Sequence, residues 1–406
     1  MGNSWVPFST DSQFPIENLP YGSFSYQERS PNLGVAIGDW VLDLYELSRI
    51  GLLDNSDGAL SMPTLNGLFQ RGKEAWSELR GRLTELLTDA SYQREASQAL
   101  LPLSQVRMHL PFEIGDYVDF YSFRSHAENL GRILRPNSEA LPPNWRHLPI
   151  GYHGRSGTVR ISETPVERPW GQRKNEGSLE PTFGPSEKLD IEAEIGFVVG
   201  KGTDLGQVLS PSDFDEYVFG VVLVNDWSAR DIQAWEYVPL GPFLAKSFIT
   251  SISPWVVTLE ALSGSRTSPP LQDPKPFEYL HDSNPWALDI KLEISINGQV
   301  VSRPPFADMY WTPGQQLAHL TSNGASLRPG DLFASGTVSG SEPDQWGSLM
   351  ELTWNGSKPL KLGDDSERRF LLNGDCVKIT ASAMSRGGIR LGFGEVAGTV
   401  TAGKED

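Results

Sequence analysis

Apolar residues run almost unbroken from Tyr217 to Val224, the length and composition of a strand buried on both faces. The pattern then changes. Asp226, Arg230, Gln233 and Tyr237 recur at intervals of four, three and four, which predicts one polar face of a helix that Pro239, Gly241 and Pro242 bring to an end. A carboxylate, a guanidinium, an amide and a phenol in one row suit either a site or a capped helix with surface ion pairs. Lys246 and Thr250 follow within a mostly apolar segment. A lysine buried there needs an anionic partner.

Before this stretch, NLGVAIGDWVLDL alternates around Gly38-Asp39 and predicts a β-hairpin. Leucines, Phe69 and Trp76 at near-helical spacing predict one or two amphipathic helices between Pro63 and Leu101. The pattern suits a packing or assembly unit over residues 1–116, with the remaining 117–406 as a second, larger domain. In IGDYVDFYSF, Asp119, Tyr121 and Phe123 alternate as on a strand, and His126 follows where the chain turns helical. From Pro142 to Gly184, Pro, Gly, Trp and Arg dominate, predicting loops and short strands in which Tyr152 and His153 are candidate pocket residues. LDIEAEIGFVVG predicts a strand that projects Glu192 and Glu194 from one face. LDIKLEISINGQVV predicts a hairpin at Asn297-Gly298, MYWTPGQQLAHLTSNG a helix, and SLMELTWNG a strand-like setting for Glu351.

Composition narrows the class. Gly (40) and Pro (30) in 406 residues favour many short strands and turns, so a mainly β, α+β fold is expected. The net charge of -17 disfavours nucleic acid and anionic lipid as partners, and no apolar run approaches membrane-spanning length. A single cysteine, Cys376, excludes an intrachain disulfide and a multi-thiolate zinc site and points to a reducing, cytoplasmic setting. MGNSWVPFST reads neither as a secretion signal nor as a myristoylation motif.

Two adjacent like charges on one strand face are destabilising, so Glu192 and Glu194 require either solvent on an edge strand or a cation. Oxygen-only ligands suit Ca²⁺, Mg²⁺ or Mn²⁺ better than zinc. His126, close after an acidic aromatic strand, is either a structural histidine or a base. Arg132 and Arg135 are rival partners for a carboxylate ligand. No phosphate-binding or dinucleotide spacing occurs in the Gly- and Ser-rich LRPGDLFASGTVSG.

These strings together, DFYSFRSHAENLG, GYHGR, LDIEAEIGFVVG, NDWSARDIQAWEYVPLGPFLAKSF, LRPGDLFASGTVSG and the early FPIENLPYGSF, closely resemble the fumarylacetoacetases, which catalyse the last step of tyrosine breakdown. The resemblance spans nearly the whole chain and points to the eukaryotic type with an additional N-terminal domain. It implies an SH3-like N-terminal domain, a β-roll catalytic domain, a homodimer and hydrolysis of 4-fumarylacetoacetate, a dianionic diketo acid, to fumarate and acetoacetate. By matching strings it implies metal ligands Asp119, Glu192, Glu194 and Asp226, with Lys246 and Thr250 near a second, Mg²⁺-type position. His126 would be the base, oriented by Glu351. Arg230, Gln233 and Lys246 would bind the oxyanion, and Tyr121, Arg135, Tyr152, Tyr237 and Thr337 would contact substrate. Metal-dependent decarboxylases and isomerases of 2-keto acids are the alternative on the same fold, distinguished by lacking the His126–Glu351 pair and the N-terminal domain.

Overall fold

A computed structural model describes residues 4–7, 9, 12–174, 177–363 and 366–403. It is a mixed α/β structure, mostly sheet, built on a 13-stranded sheet whose centre is the strand Val218–Asp226. All nine residues of that strand are buried. Alternation explains why. Val218, Val221 and Leu223 enter one core, which also takes Ile379, Ala381 and Val396 from the C-terminal hairpin Cys376–Met384 and Arg390–Thr401. Phe219, Val222 and Val224 enter a second core with Tyr21, Phe69, Trp76 and Leu83 from the first hundred residues.

The N-terminal strands continue the same sheet. Tyr21–Tyr26 pairs with Asn32–Ile37, with Val106–His109 and, through Tyr21↔Val256 and Gly22↔Trp255, with the strand Trp255–Thr258. The hairpin at Gly38-Asp39 forms as expected, with Ile37 opposite Trp40. The amphipathic segment folds into the helix Lys73–Thr88 with a short helix on either side, Asn66–Phe69 and Gln93–Ala96. Trp76 meets Phe219 edge to face at 5.2 Å, a contact worth ~0.5–1.5 kcal/mol beyond area burial.

Three expectations are corrected. The strand through Asp119 ends at Phe120, so Tyr121 and Phe123 lie beyond it, where the chain turns into the helix Arg124–Leu134. Asp226 is not on a helix: it ends the central strand, opposite Thr250, because Thr250–Ile252 pairs alongside and holds the chain extended. The helix spans only Arg230–Glu236. Glu351 is not strand-like either. It lies in the short helix Leu349–Leu352, which starts where the Ser348 hydroxyl accepts from the Glu351 amide. The hairpin at Asn297-Gly298 forms with both residues at positive φ, and Pro313–Thr321 is helical behind a Thr312–Gln315 capping box.

Candidate active site

Sheet order and register build the site. Val218–Asp226 lies beside Ala193–Val199, then Leu332–Ala334, Tyr117–Phe120 and Gly151–His153. Ala193 pairs with Asn225, Gly196 with Ala334, and Ala334 with Asp119, which itself faces Tyr152. Asp119, Glu194 and Asp226 therefore sit at one end of three strands, on the face that further along carries Tyr117, Val198 and Val224 into the N-terminal core. Where that apolar layer ends, the carboxylates begin.

One oxygen from each of these three carboxylates lies within 4.8 Å of the others, and all three side chains are buried. In each, the protein holds one oxygen. Tyr117 donates to Asp119 Oδ2 at 2.9 Å, the Gly336 amide donates to Glu194 Oε2 at 3.2 Å, and Tyr152 donates to Asp226 Oδ2 at 2.7 Å. Asp119 Oδ1, Glu194 Oε1 and Asp226 Oδ1 have no hydrogen-bond partner. Burial, then mutual repulsion, pushes Asp119 and Glu194 well above the carboxylate range. Like charges this close repel by roughly 4 kcal/mol per pair at an effective dielectric near 20. Three convergent buried carboxylates, each with one oxygen left unpartnered, fit a divalent cation of the Ca²⁺, Mg²⁺ or Mn²⁺ kind.

Glu192 stands outside that trio, in the break between the strands Leu189–Asp190 and Ala193–Val199. Its Oε2 accepts from Lys246 Nζ at 2.5 Å, and its Oε1 lies 2.7 Å from Arg230 Nη2 in an ion pair off the hydrogen-bonding direction. Burial opposes ionisation of Glu192, but the charges of Lys246 and Arg230 outweigh it and hold the carboxyl below its ordinary range. Lys246 also donates to Asp226 Oδ2 at 2.6 Å. Burial would lower the ammonium; Asp226 and Glu192 together raise it instead, so it stays charged.

His126 occupies the first turn of the helix Arg124–Leu134. Its Nδ1 lies 2.7 Å from Glu351 Oε2, and because a carboxylate only accepts, Nδ1 carries a proton; in the neutral imidazole that tautomer leaves Nε2 free to accept. Nε2 lies 3.9 Å from Glu192 Oε1. Asn129, Ser339 and Ser348 also donate to Glu351. Burial alone would raise the Glu351 carboxyl, but these donors and the imidazole hold it below its ordinary range.

The remaining candidates fall in three places. Tyr121 packs edge-on against His126 at 5.2 Å, Thr250 is buried opposite Asp226, and buried Thr337 keeps an unpartnered Oγ1. Arg230 Nη1 donates to Gln233 Oε1 at 3.1 Å, whereas Tyr237 follows on a turn, 42% exposed. Arg132 is tied to Glu128 on the surface, whereas Arg135 and Arg230 both reach the Tyr121 phenol, which burial, then Glu351 and Glu192, raise and the two arginines pull back. A cavity of about 280 Å³ opens beside Tyr152 and Lys246, with Arg155 and Phe243 on its wall. The cavity of about 580 Å³ near Arg168 and Trp170 is lined by none of these residues.

Sequence reasoning missed Tyr117, Asn129, Ser339, Ser348 and Asp190. Tyr117 and Asp190 were within reach: each stands two residues before a singled-out acid, so strand alternation carries both toward the same face.

An imidazole oriented by a buried carboxylate, a convergent carboxylate trio and a bank of buried cations define an enzyme of the acid–base kind with a cation site. Residues 117–401 match the fumarylacetoacetate (FAA) hydrolase C-terminal family and residues 17–111 the fumarylacetoacetase N-terminal family. The chain is 47% identical to the fumarylacetoacetase of Homo sapiens, with 98% of each covered, and 45% identical to that of Arabidopsis thaliana at the same coverage. It shares its fold with a fumarylacetoacetate hydrolase from Exiguobacterium antarcticum, at a TM-score of 0.56 and 17% identity, covering 95% of this chain and 99% of that one. A maleylpyruvate hydrolase from Sphingobium sp. SYK-6, solved with manganese(II) and pyruvate, gives 0.53 and 16%, covering 95% and 100%. The chain belongs to the fumarylacetoacetate hydrolase family.

Proposed function

We propose that this protein hydrolyses the carbon–carbon bond of 4-fumarylacetoacetate to fumarate and acetoacetate. The observation that carries the reading is His126, its Nδ1 fixed by Glu351 and its Nε2 3.9 Å from Glu192, the carboxylate that shares Lys246 with Asp226 of the trio. A water held there gives its proton to Nε2 and adds to the carbonyl carbon of the fumaroyl group, which becomes the second carboxyl of fumarate. Arg230, Gln233 and Lys246 supply the positive charge and donors for the resulting oxyanion, a role typically worth a few kcal/mol per donor. Collapse of the tetrahedral centre breaks the C–C bond, leaving its electrons on acetoacetate as an enolate, and the imidazolium returns the proton to that carbon. A divalent cation on Asp119, Glu194 and Asp226, with Glu192 beside them, would supply Lewis acidity toward the diketone oxygens. Ca²⁺ and Mg²⁺ are the favoured ions, with Lys246 and Thr250 near a second position. Tyr121, Arg135, Tyr152, Tyr237 and Thr337 are assigned to the substrate's carboxylate ends and acyl chain.

The N-terminal part, residues 1–116, is assigned as an SH3-like domain and residues 117–406 as a β-roll, a division supported by the separate family matches. A homodimer is supported by exposed Val238, Leu240 and Phe243 on the turn after the Arg230–Glu236 helix, and light scattering at one mass would remove it. Cytoplasmic residence suits a chain whose one cysteine is exposed; among the described residues no helix is long and apolar enough to cross a membrane.

The decisive assay follows loss of fumarylacetoacetate absorbance beside an oxaloacetate control. Activity on the diketone alone is expected. His126→Ala should abolish turnover at unchanged fold and metal content, and chelation followed by dialysis should remove it until Mg²⁺ or Ca²⁺ is restored. Turnover of oxaloacetate instead, or full activity after either treatment, would defeat the assignment.

A further inference from the structure

We propose that Asp190 is a positioning residue that locks the Arg230 guanidinium and the Glu351 helix to each other, so that oxyanion binding and base orientation are set by one buried carboxylate. The proposal rests on the roles given above to Arg230 and Glu351. Asp190 is completely buried. Its Oδ2 accepts from Arg230 Nε at 2.8 Å and from the Met350 amide at 3.0 Å, and its Oδ1 accepts from the Leu349 amide at 2.7 Å and from its neighbour Ile191. Oδ2 is therefore shared between two elements far apart in sequence, and Oδ1 adds a second bond to the later of them.

On one side the backbone repeats the tie. Leu189 and Asp190 pair with Ala229 and Ser228, and the Arg230 amide donates to Lys188. With Nε held by Asp190 and Nη1 by Gln233, the guanidinium plane has one orientation, in which Nη2 faces Glu192. On the other side, Leu349 and Met350 immediately precede Glu351, whose carboxylate sets the His126 tautomer. A buried ion pair contributes little net stability compared with apolar packing of the same volume, whereas removing one partner leaves the other unpaired. What the pair provides is geometry: a shift of the carboxylate moves the guanidinium and the helix start together.

Asp190→Asn keeps shape but turns one acceptor into a donor facing a donor. Steady-state kinetics on fumarylacetoacetate should show kcat falling roughly ten- to a hundredfold, the range for outer-layer partners of a site, with KM within about twofold and unchanged circular dichroism. In Arg230→Gln or Glu351→Gln backgrounds the added Asp190→Asn loss should shrink to about threefold or less, since the group acted upon is already gone. Full kcat in Asp190→Asn, or an undiminished loss in both backgrounds, overturns the proposal. Parental turnover in both Arg230→Gln and Glu351→Gln overturns the functional reading first and this one with it. Should Asp190→Asn fail to fold, amide hydrogen exchange in Arg230→Gln decides: faster exchange at Leu349 and Met350 is expected, and parental exchange there sinks the coupling.

Discussion

Glu351 shows how a single side chain is committed to one charge state. It accepts from His126 Nδ1, Asn129, Ser339 and Ser348, and these contacts keep a fully buried carboxyl below its usual range. A carboxyl with a folded pKa below its unfolded value of ~4.3 adds stability that is present above that value and is lost as pH falls through the folded one. Glu351→Gln should therefore melt below the parent at pH 7, and the gap should close as the pH drops below ~4. Calorimetry from pH 8 to pH 3 measures this; a gap that stays constant would show that the charge is not what stabilises. Asp119 and Glu194 show the reverse: burial and repulsion raise both, and only a cation makes their ionised forms comfortable.

Among elements, the helix Arg124–Leu134 carries both His126 and Asn129, one turn apart, toward the same carboxylate. Its placement depends on Gly131, where an added Cβ would run into the backbone carbonyl of Ala140. Ala is worth up to ~1 kcal/mol more than Gly in a helix, but overpacking against backbone costs ~1–3 kcal/mol, so the clash should win. Gly131→Ala is expected to lower the melting temperature and, by shifting the helix, to reduce kcat as well. Unchanged values of both would mean the loop around Ala140 yields freely. At the N-terminus of Pro313–Thr321, Thr312 closes a capping box with Gln315, and Thr312→Ala should cost ~1 kcal/mol in chemical denaturation.

For the molecule as a whole, the strand Val218–Asp226 at the centre of the sheet has no free face. Phe219, Val222, Val224 and Val256 are covered by Tyr21, Phe69, Trp76 and their neighbours, and the strand Tyr21–Tyr26 occupies the edge of Trp255–Thr258. A chain lacking residues 1–111 would expose that layer and an unpaired strand edge, both routes to aggregation. Its expression should give insoluble protein, and co-expression of the missing piece should restore a soluble complex. A soluble, active fragment would show that the N-terminal part is dispensable for the core.

Much of this was legible along the chain because it depends on period and residue type. Tyr217 to Val224 reads as a doubly buried strand, the hairpins at Gly38 and Asn297 follow from their turn residues, and the acids beside aromatic and apolar strands advertise a partner. The helix expected from Asn225 failed because pairing with Thr250–Ile252, far along the chain, outweighs local periodicity. Glu351 reads as strand-like along the chain because a four-residue helix is too short to show a period. Which carboxylate oxygens remain unpaired, that Glu192 is shared by Lys246 and Arg230, and that Asp190 ties Arg230 to the Glu351 helix were decided only by tertiary structure. Spacing carries the direction of a side chain within its own element; the distance between elements is set by sheet register and packing, which no local pattern records.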